Sequence, residues 1–167
     1  MGCMDYRPID LSRLAWCGLK VSYGGAGSLG VQTPPARYRA VASHKFGLGC
    51  RDLHLTGLPA AFLDFLREIE ASARMGVDLK GLTPIDTVAW DGTVRLSAFD
   101  GETLWFDRDG ALVEHTPLEP HTGVCALLVQ VVGIWKSPRS WGLKLKVKEV
   151  KELDPAKAPP DTSWAFA

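Results

Sequence analysis

The sequence carries no net charge: 19 Lys and Arg balance 19 Asp and Glu over 167 residues. The strong basic excess that marks many nucleic-acid binders is therefore missing from the total. No stretch approaches the roughly 20 apolar residues that a membrane-crossing helix needs. The start, Met1-Gly2-Cys3-Met4-Asp5-Tyr6-Arg7, has no charged-then-apolar leader pattern, so an intracellular location is expected. Cysteine is scarce and scattered. Cys3, Cys17, Cys50 and Cys125 form no Cys-x-x-Cys pair, which argues against a disulfide framework. Cys17 and Cys125 fall in expected strands and read as small core residues.

Catalytic signatures are missing too. No Ser or Cys sits in a Gly-x-Ser-x-Gly motif, and there is no phosphate-loop lysine. Gly25 to Gly30 matches the dinucleotide fingerprint Gly-x-Gly-x-x-Gly, but that motif needs a helix at its end to meet the pyrophosphate. Here Val31-Gln32-Thr33-Pro34-Pro35 follows, and two prolines stop a helix. The stretch reads instead as a glycine loop between strands. His44, Cys50, His54, His115 and His121 have no metal-ligand spacing, so no metal is expected. Asp91, Asp100 and Asp109 are accounted for by Asp-Gly turns, and Asp107 with Asp109 lacks the calcium-loop pattern. Neither an enzyme nor a cofactor is expected.

What is present centres on residues 124–150. Val124 to Trp135 is almost unbroken in apolar character and Val-rich, which suits a strand buried on both faces. Lys136-Ser137-Pro138-Arg139-Ser140 then turns the chain. In Trp141 to Val150 the pattern alternates: Leu143, Leu145 and Val147 on one face, Lys144, Lys146 and Lys148 on the other. The pair reads as a long β-hairpin with an ammonium rail. Lys136, Arg139, Trp135 and Trp141 flank its turn. Cations for phosphates and ring faces for bases are what a single nucleic-acid strand needs. Trp141 shares the parity of Leu143, so it reaches the lysine face only if Gly142 marks a bulge.

Around this hairpin the chain reads as strands with one helix. Residues 1–12 are an irregular lead-in. Leu14 to Tyr23 is expected as the first strand. Arg37-Tyr38-Arg39-Ala40-Val41 and Lys45-Phe46-Gly47 repeat the cation-aromatic mixture, adding Arg37, Tyr38 and Arg39 to the candidate DNA contacts, and Lys20 of the first strand is a further addition. Leu58 to Met75 is a helix whose apolar stripe is Leu58, Phe62, Phe65, Leu66, Ile69 and Ala73, with Asp64, Arg67, Glu68 and Glu70 off it. Three Asp-Gly turns, at 91–92, 100–101 and 109–110, divide residues 85–115 into a meander with strands Thr93–Phe99 and Thr103–Phe106. Beyond Leu153 the composition turns polar and proline-rich, which predicts an extended tail over 154–167 ending in Trp164 and Phe166. The domain proper is then 1–153.

Charge is unevenly spread along this plan. Residues 1–60 hold seven Lys and Arg against three Asp and Glu, residues 61–120 five against twelve, and residues 121–167 seven against four. Basic end segments lying side by side would make one positive surface with an acidic back. The plan fits a mainly β fold, an OB-type barrel of about five strands with an inserted helix, a meander and a C-terminal tail. A protein-interaction or structural (virion) β-module without nucleic-acid binding is the alternative; an enzyme using the acidic middle is a second.

Ser28-Leu29-Gly30-Val31-Gln32-Thr33-Pro34 resembles the Gln-Thr-Pro strand of single-stranded-DNA-binding proteins encoded by giant (nucleocytoplasmic large) DNA viruses. Gly133-Ile134-Trp135 followed by Trp141-Gly142-Leu143-Lys144-Leu145-Lys146 resembles the closing hairpin of the same group. That group is similar in turn to the podophage single-stranded-DNA-binding protein, which has an OB barrel. The resemblance implies sequence-non-specific coating of unwound DNA in viral replication, recombination and repair, in the host nucleus or a cytoplasmic viral replication site. It also implies a homodimer and a tail that competes with DNA or recruits replication proteins. The podophage tail is strongly acidic with a terminal aromatic. This tail keeps the aromatics but sets only Asp154 and Asp161 against Lys157.

Overall fold

The structure is a computed structural model and describes residues 4–7, 9–25, 27–43, 49–114 and 119–159. It is mainly β with one helix. The strands are β1 (Met4–Asp5), β2 (Leu14–Cys17), β3 (Lys20–Tyr23), β4 (Leu29–Gln32), β5 (Ala36–Ala42), β6 (Cys50–Thr56), β7 (Thr83–Pro84), β8 (Val94–Phe99), β9 (Leu104–Phe106), β10 (His121–Lys136) and β11 (Ser140–Leu153). Helix α1 (Ala60–Gly76) lies between β6 and β7.

β10 and β11 form the expected hairpin, longer than the sequence reading at both ends. One edge of β10 pairs with β11. The other is shared by β5 at residues 121–125, β4 at 128–131 and β3 at Gly133. β5 then pairs with β6, and β6 with β8, all antiparallel. The Gln-Thr-Pro segment explains how β4 and β5 share one partner. Thr33 N donates to the Leu127 carbonyl and Leu127 N donates to Thr33 Oγ1, both at 2.9 Å. This clip carries the ladder up to Pro34 and Pro35, which bend the chain into β5.

Inward side chains Val31, Leu55, Val94, Leu96, Val129, Val131 and Leu145 meet Phe62, Phe65 and Leu66 of α1 in one core. The helix begins at Ala60, after Pro59, and not at Leu58; its five stripe residues Phe62, Phe65, Leu66, Ile69 and Ala73 are buried, as the periodicity predicts, and Leu58 is buried just ahead of it. Glu70 differs: it is buried as well, and its carboxylate accepts the Thr87 N–H at 3.0 Å. Trp16 ties β2 to the helix, donating Nε1–H to Ser72 Oγ at 2.9 Å while its ring lies against Gly76.

Several expectations change. Leu14 to Tyr23 is two strands, because Gly18, at φ +60, and Leu19 make a two-residue turn that folds β2 onto β3. Cys17 sits beside that turn and is exposed, whereas Cys125 is fully buried, its thiol pushed up to about 12 by burial. The first arm of the hairpin is not buried on both faces; its outward residues Ala126, Leu128, Gln130 and Val132 are half-buried. The meander is not sequential: β9 leaves β8 and pairs parallel with β11. A closed five-stranded barrel would need a ladder between β8 and β11. Among the described residues they lie side by side without one, and the sheet is open there. The Lys45-Phe46-Gly47 turn lies outside the described residues.

Gly133 is where β3 crosses β10. A Cβ built there would overlap the Leu19 carbonyl oxygen, and φ is +154. Gly133→Ala is expected to destabilise the fold by about 1–3 kcal/mol for strain of this kind, read as a lower urea midpoint. Amide exchange should accelerate first in β2 and β3. Unchanged protection there would contradict this account of the crossing.

Candidate nucleic-acid interface

The gap between β8 and β11 is a cleft of about 450 Å³. Trp135, Lys144 and Lys146 line its β11 side, and Arg95, Ser97 and Phe99 of β8 line the other. The β11 alternation is the cause. Leu143 and Val147 are buried, while Lys144 and Lys146 point to the opposite face.

Trp135 stands opposite Gly142 across the hairpin. Its indole lies over the glycine: a Cβ on Gly142 would come within 2.7 Å of Trp135 Nε1. Because Gly142 has the parity of Lys144, the ring rests on the cationic face, and 37% of Trp135 remains exposed. Lys144 is exposed and forms no ion pair among the described residues. Lys146 Nζ is 3.7 Å from Glu102 Oε1. Both groups remain substantially exposed, and such a pair contributes little.

The other candidates are less collected. Lys148 is the extra residue of a β-bulge between the Val147–Val129 and Glu149–Leu128 pairs. The bulge turns it into a separate groove with Leu104, Leu128 and Gln130. Lys136 donates to the Asp78 carbonyl at 2.8 Å, and Arg139 is exposed at the tip of the turn. Lys20 is exposed on β3 beside Gly133. Arg37 and Arg39 project from the outer face of β5. Trp164 and Phe166 lie outside the described residues.

Two of the proposed stacking rings are not available. Trp141 is 2% exposed, since the hairpin has no bulge at Gly142, and Arg74 lies over its ring at 5.6 Å. Tyr38 is 6% exposed; Ala36, Tyr38 and Ala40 face inward while Arg37 and Arg39 face out. Its ring packs over Gly123 and edge-on to Trp105 and His121. Burial, with Glu152 nearby, pushes its phenol up to about 12.

Arg95 was missed. It lies in the segment richest in acid, and nothing local says that β8 comes to rest beside β11. The alternation of Val94, Leu96 and Ala98 against Arg95 and Ser97 did mark it as outward-facing. Trp90, 97% exposed at the Asp91-Gly92 turn, was also passed over. Among the described residues no three His, Cys, Asp or Glu side chains converge as metal ligands.

No family model and no curated protein matches the chain. A solved structure does: the crystal structure of gp2.5, a single-stranded DNA binding protein encoded by bacteriophage T7, with a TM-score of 0.51 and 15% sequence identity. The match covers 80% of this chain and 94% of that one. At this identity the likeness concerns the fold alone.

Two outcomes follow from these placements. Gly142→Val should displace the Trp135 indole and increase acrylamide quenching of its emission, isolated by subtracting a Trp135→Phe background; equal quenching would contradict the seating. Tyr38 gives a pH dependence. Above about pH 10 the unfolded chain releases the phenol proton, while the folded chain holds it until about 12. Rising pH across that window therefore favours unfolding. Tyr38→Phe should flatten that part of the stability curve, read as urea midpoint against pH.

Proposed function

We propose that this chain binds single-stranded DNA without regard to sequence, in the cleft between β8 and β11. The observation that carries the reading is the Trp135 indole, seated flat over Gly142 beside Lys144, with Arg95 across the cleft. A ring face stacks on any base, and Lys144 and Arg95, which enter no ion pair among the described residues, meet the backbone phosphates from the two walls. The fold likeness to a phage protein described as a single-stranded DNA binding protein supports it.

On this reading the open five-strand arrangement of β11, β10, β5, β6 and β8 is an OB-type barrel parted at the β8–β11 seam. The chain then takes its place beside the giant-virus single-stranded-DNA-binding proteins, coating unwound DNA in replication, recombination and repair as a homodimer. The tail, with Trp164 and Phe166, serves replication partners. Lys144, Lys146 and Trp135 are the principal contacts. Lys20, Lys136, Arg139 and Lys148 add charge around the cleft, and no catalytic step is assigned to it. The rival, a protein-docking module, has the bare Trp90 ring in its favour.

Titration with a dT oligonucleotide separates them. Binding should quench tryptophan emission and weaken steeply with salt. Trp135→Ala should cost about 1–3 kcal/mol, roughly 5- to 150-fold in affinity. Joint replacement of Lys144, Lys146 and Lys148 by Glu should abolish binding near physiological salt. Binding that survives this triple change would overturn the site, and absence of any quenching by poly-dT would favour the docking module.

A further inference from the structure

We infer that the DNA path does not end in the Trp135 cleft but crosses β8 over Arg95 into a second groove built from Arg39, His54 and Arg108. The inference rests on the reading of the cleft as a single-strand site and extends it.

The registers place the row. Thr122 pairs with Arg39, Arg39 with His54, and His54 with Arg95, so four outward side chains lie abreast on β10, β5, β6 and β8. With strands about 4.8 Å apart, the row spans roughly 14 Å. The inward row beside it, Ala40, Leu53 and Leu96, is buried, which fixes the Arg39 row on the outside. Arg108, from the turn after β9, approaches the same groove, a hollow of about 590 Å³. Arg95 lines the Trp135 cleft at the other end of the row. One band of cations therefore joins the two.

Arg39, Arg95 and Arg108 are exposed and enter no ion pair among the described residues. Like charges gathered across neighbouring strands oppose folding, and a polyanion relieves that opposition. The imidazole of His54 registers its neighbours: burial lowers its proton affinity first, the Arg95 and Arg39 charges lower it further, and Asp52 acts the other way. His54 thus stands between Arg39 and Arg95 in the row, a flat ring flanked by two cationic side chains. Carboxylates bound the band: Asp52, in the next row of β6, Glu152, in the groove with Tyr38, and Glu102, which lines the Trp135 cleft with Arg95.

Oligonucleotide length tests the inference. Single-strand sites on folds of this size cover about 4–16 nucleotides, so dT oligomers of about 4 and about 12 are compared. The double variant Arg39→Glu, Arg108→Glu should bind the longer oligomer about tenfold more weakly, with a salt slope shallower by roughly 1.4 for two lost phosphate contacts. Its affinity for the shorter oligomer should stay within about twofold of the parent, since the Trp135 cleft suffices for it. The control Arg67→Glu, on the outer face of α1, should leave both unchanged. Equal loss for both oligomers, or none for the longer, would overturn the second groove while leaving the Trp135 cleft in place. Failure of the parent chain to bind either oligomer would remove the cleft itself, and the extended path with it.

Discussion

Backbone hydrogen bonding along both edges of β10 is the constraint on which the rest of the structure depends. β10 is 16 residues long; β11 runs along one edge, while β5, β4 and β3 take successive parts of the other. Its inward Leu127, Val129 and Val131 fill the centre of the core. Every surface proposed to meet DNA is placed relative to it. β11 carries the lysines because its register against β10 turns Leu143 and Val147 inward. β5 carries Arg37 and Arg39 because its register turns Ala36, Tyr38 and Ala40 inward. Two bulges, at Val132 and Lys148, interrupt this regularity, and the second sends Lys148 to a groove of its own.

The local patterns were legible in the sequence. Period-two alternation gave the faces of β11, helical periodicity gave the buried stripe of α1, and all three Asp-Gly pairs are turns. The parity of Trp141 pointed to the core unless Gly142 marked a bulge, and the hairpin has no bulge there. What could not be read is what depends on contacts remote in sequence. Nothing in Leu104-Trp105-Phe106 says that it pairs parallel with β11 and not with its neighbour β8. The burial of Glu70 depends on a backbone amide seventeen residues on. Tyr38 looked like an exposed ring among arginines because alternation alone does not say which set faces in.

The site illustrates the same division. Trp135 and Lys144 come from one hairpin and were visible together. Arg95 comes from a strand more than thirty residues earlier, in a segment whose overall charge is negative. Net charge per segment therefore pointed away from a residue that completes the cleft. Charge on a folded surface follows the parity of each strand, and a mainly acidic segment can still present an arginine where two sheet edges meet.

The seating of Trp135 over Gly142 has a consequence for the speed and economy of recognition. An indole free in solvent samples several rotamers, and freezing it against a ligand carries an entropic cost of about 0.5–1.5 kcal/mol for a mobile side chain. Here the glycine across the hairpin has already chosen the orientation, so on the proposed reading an arriving base would meet a fixed plate. If the chain coats a single strand as proposed, that gain would recur once per subunit, because each plate would be set before its nucleotide arrives.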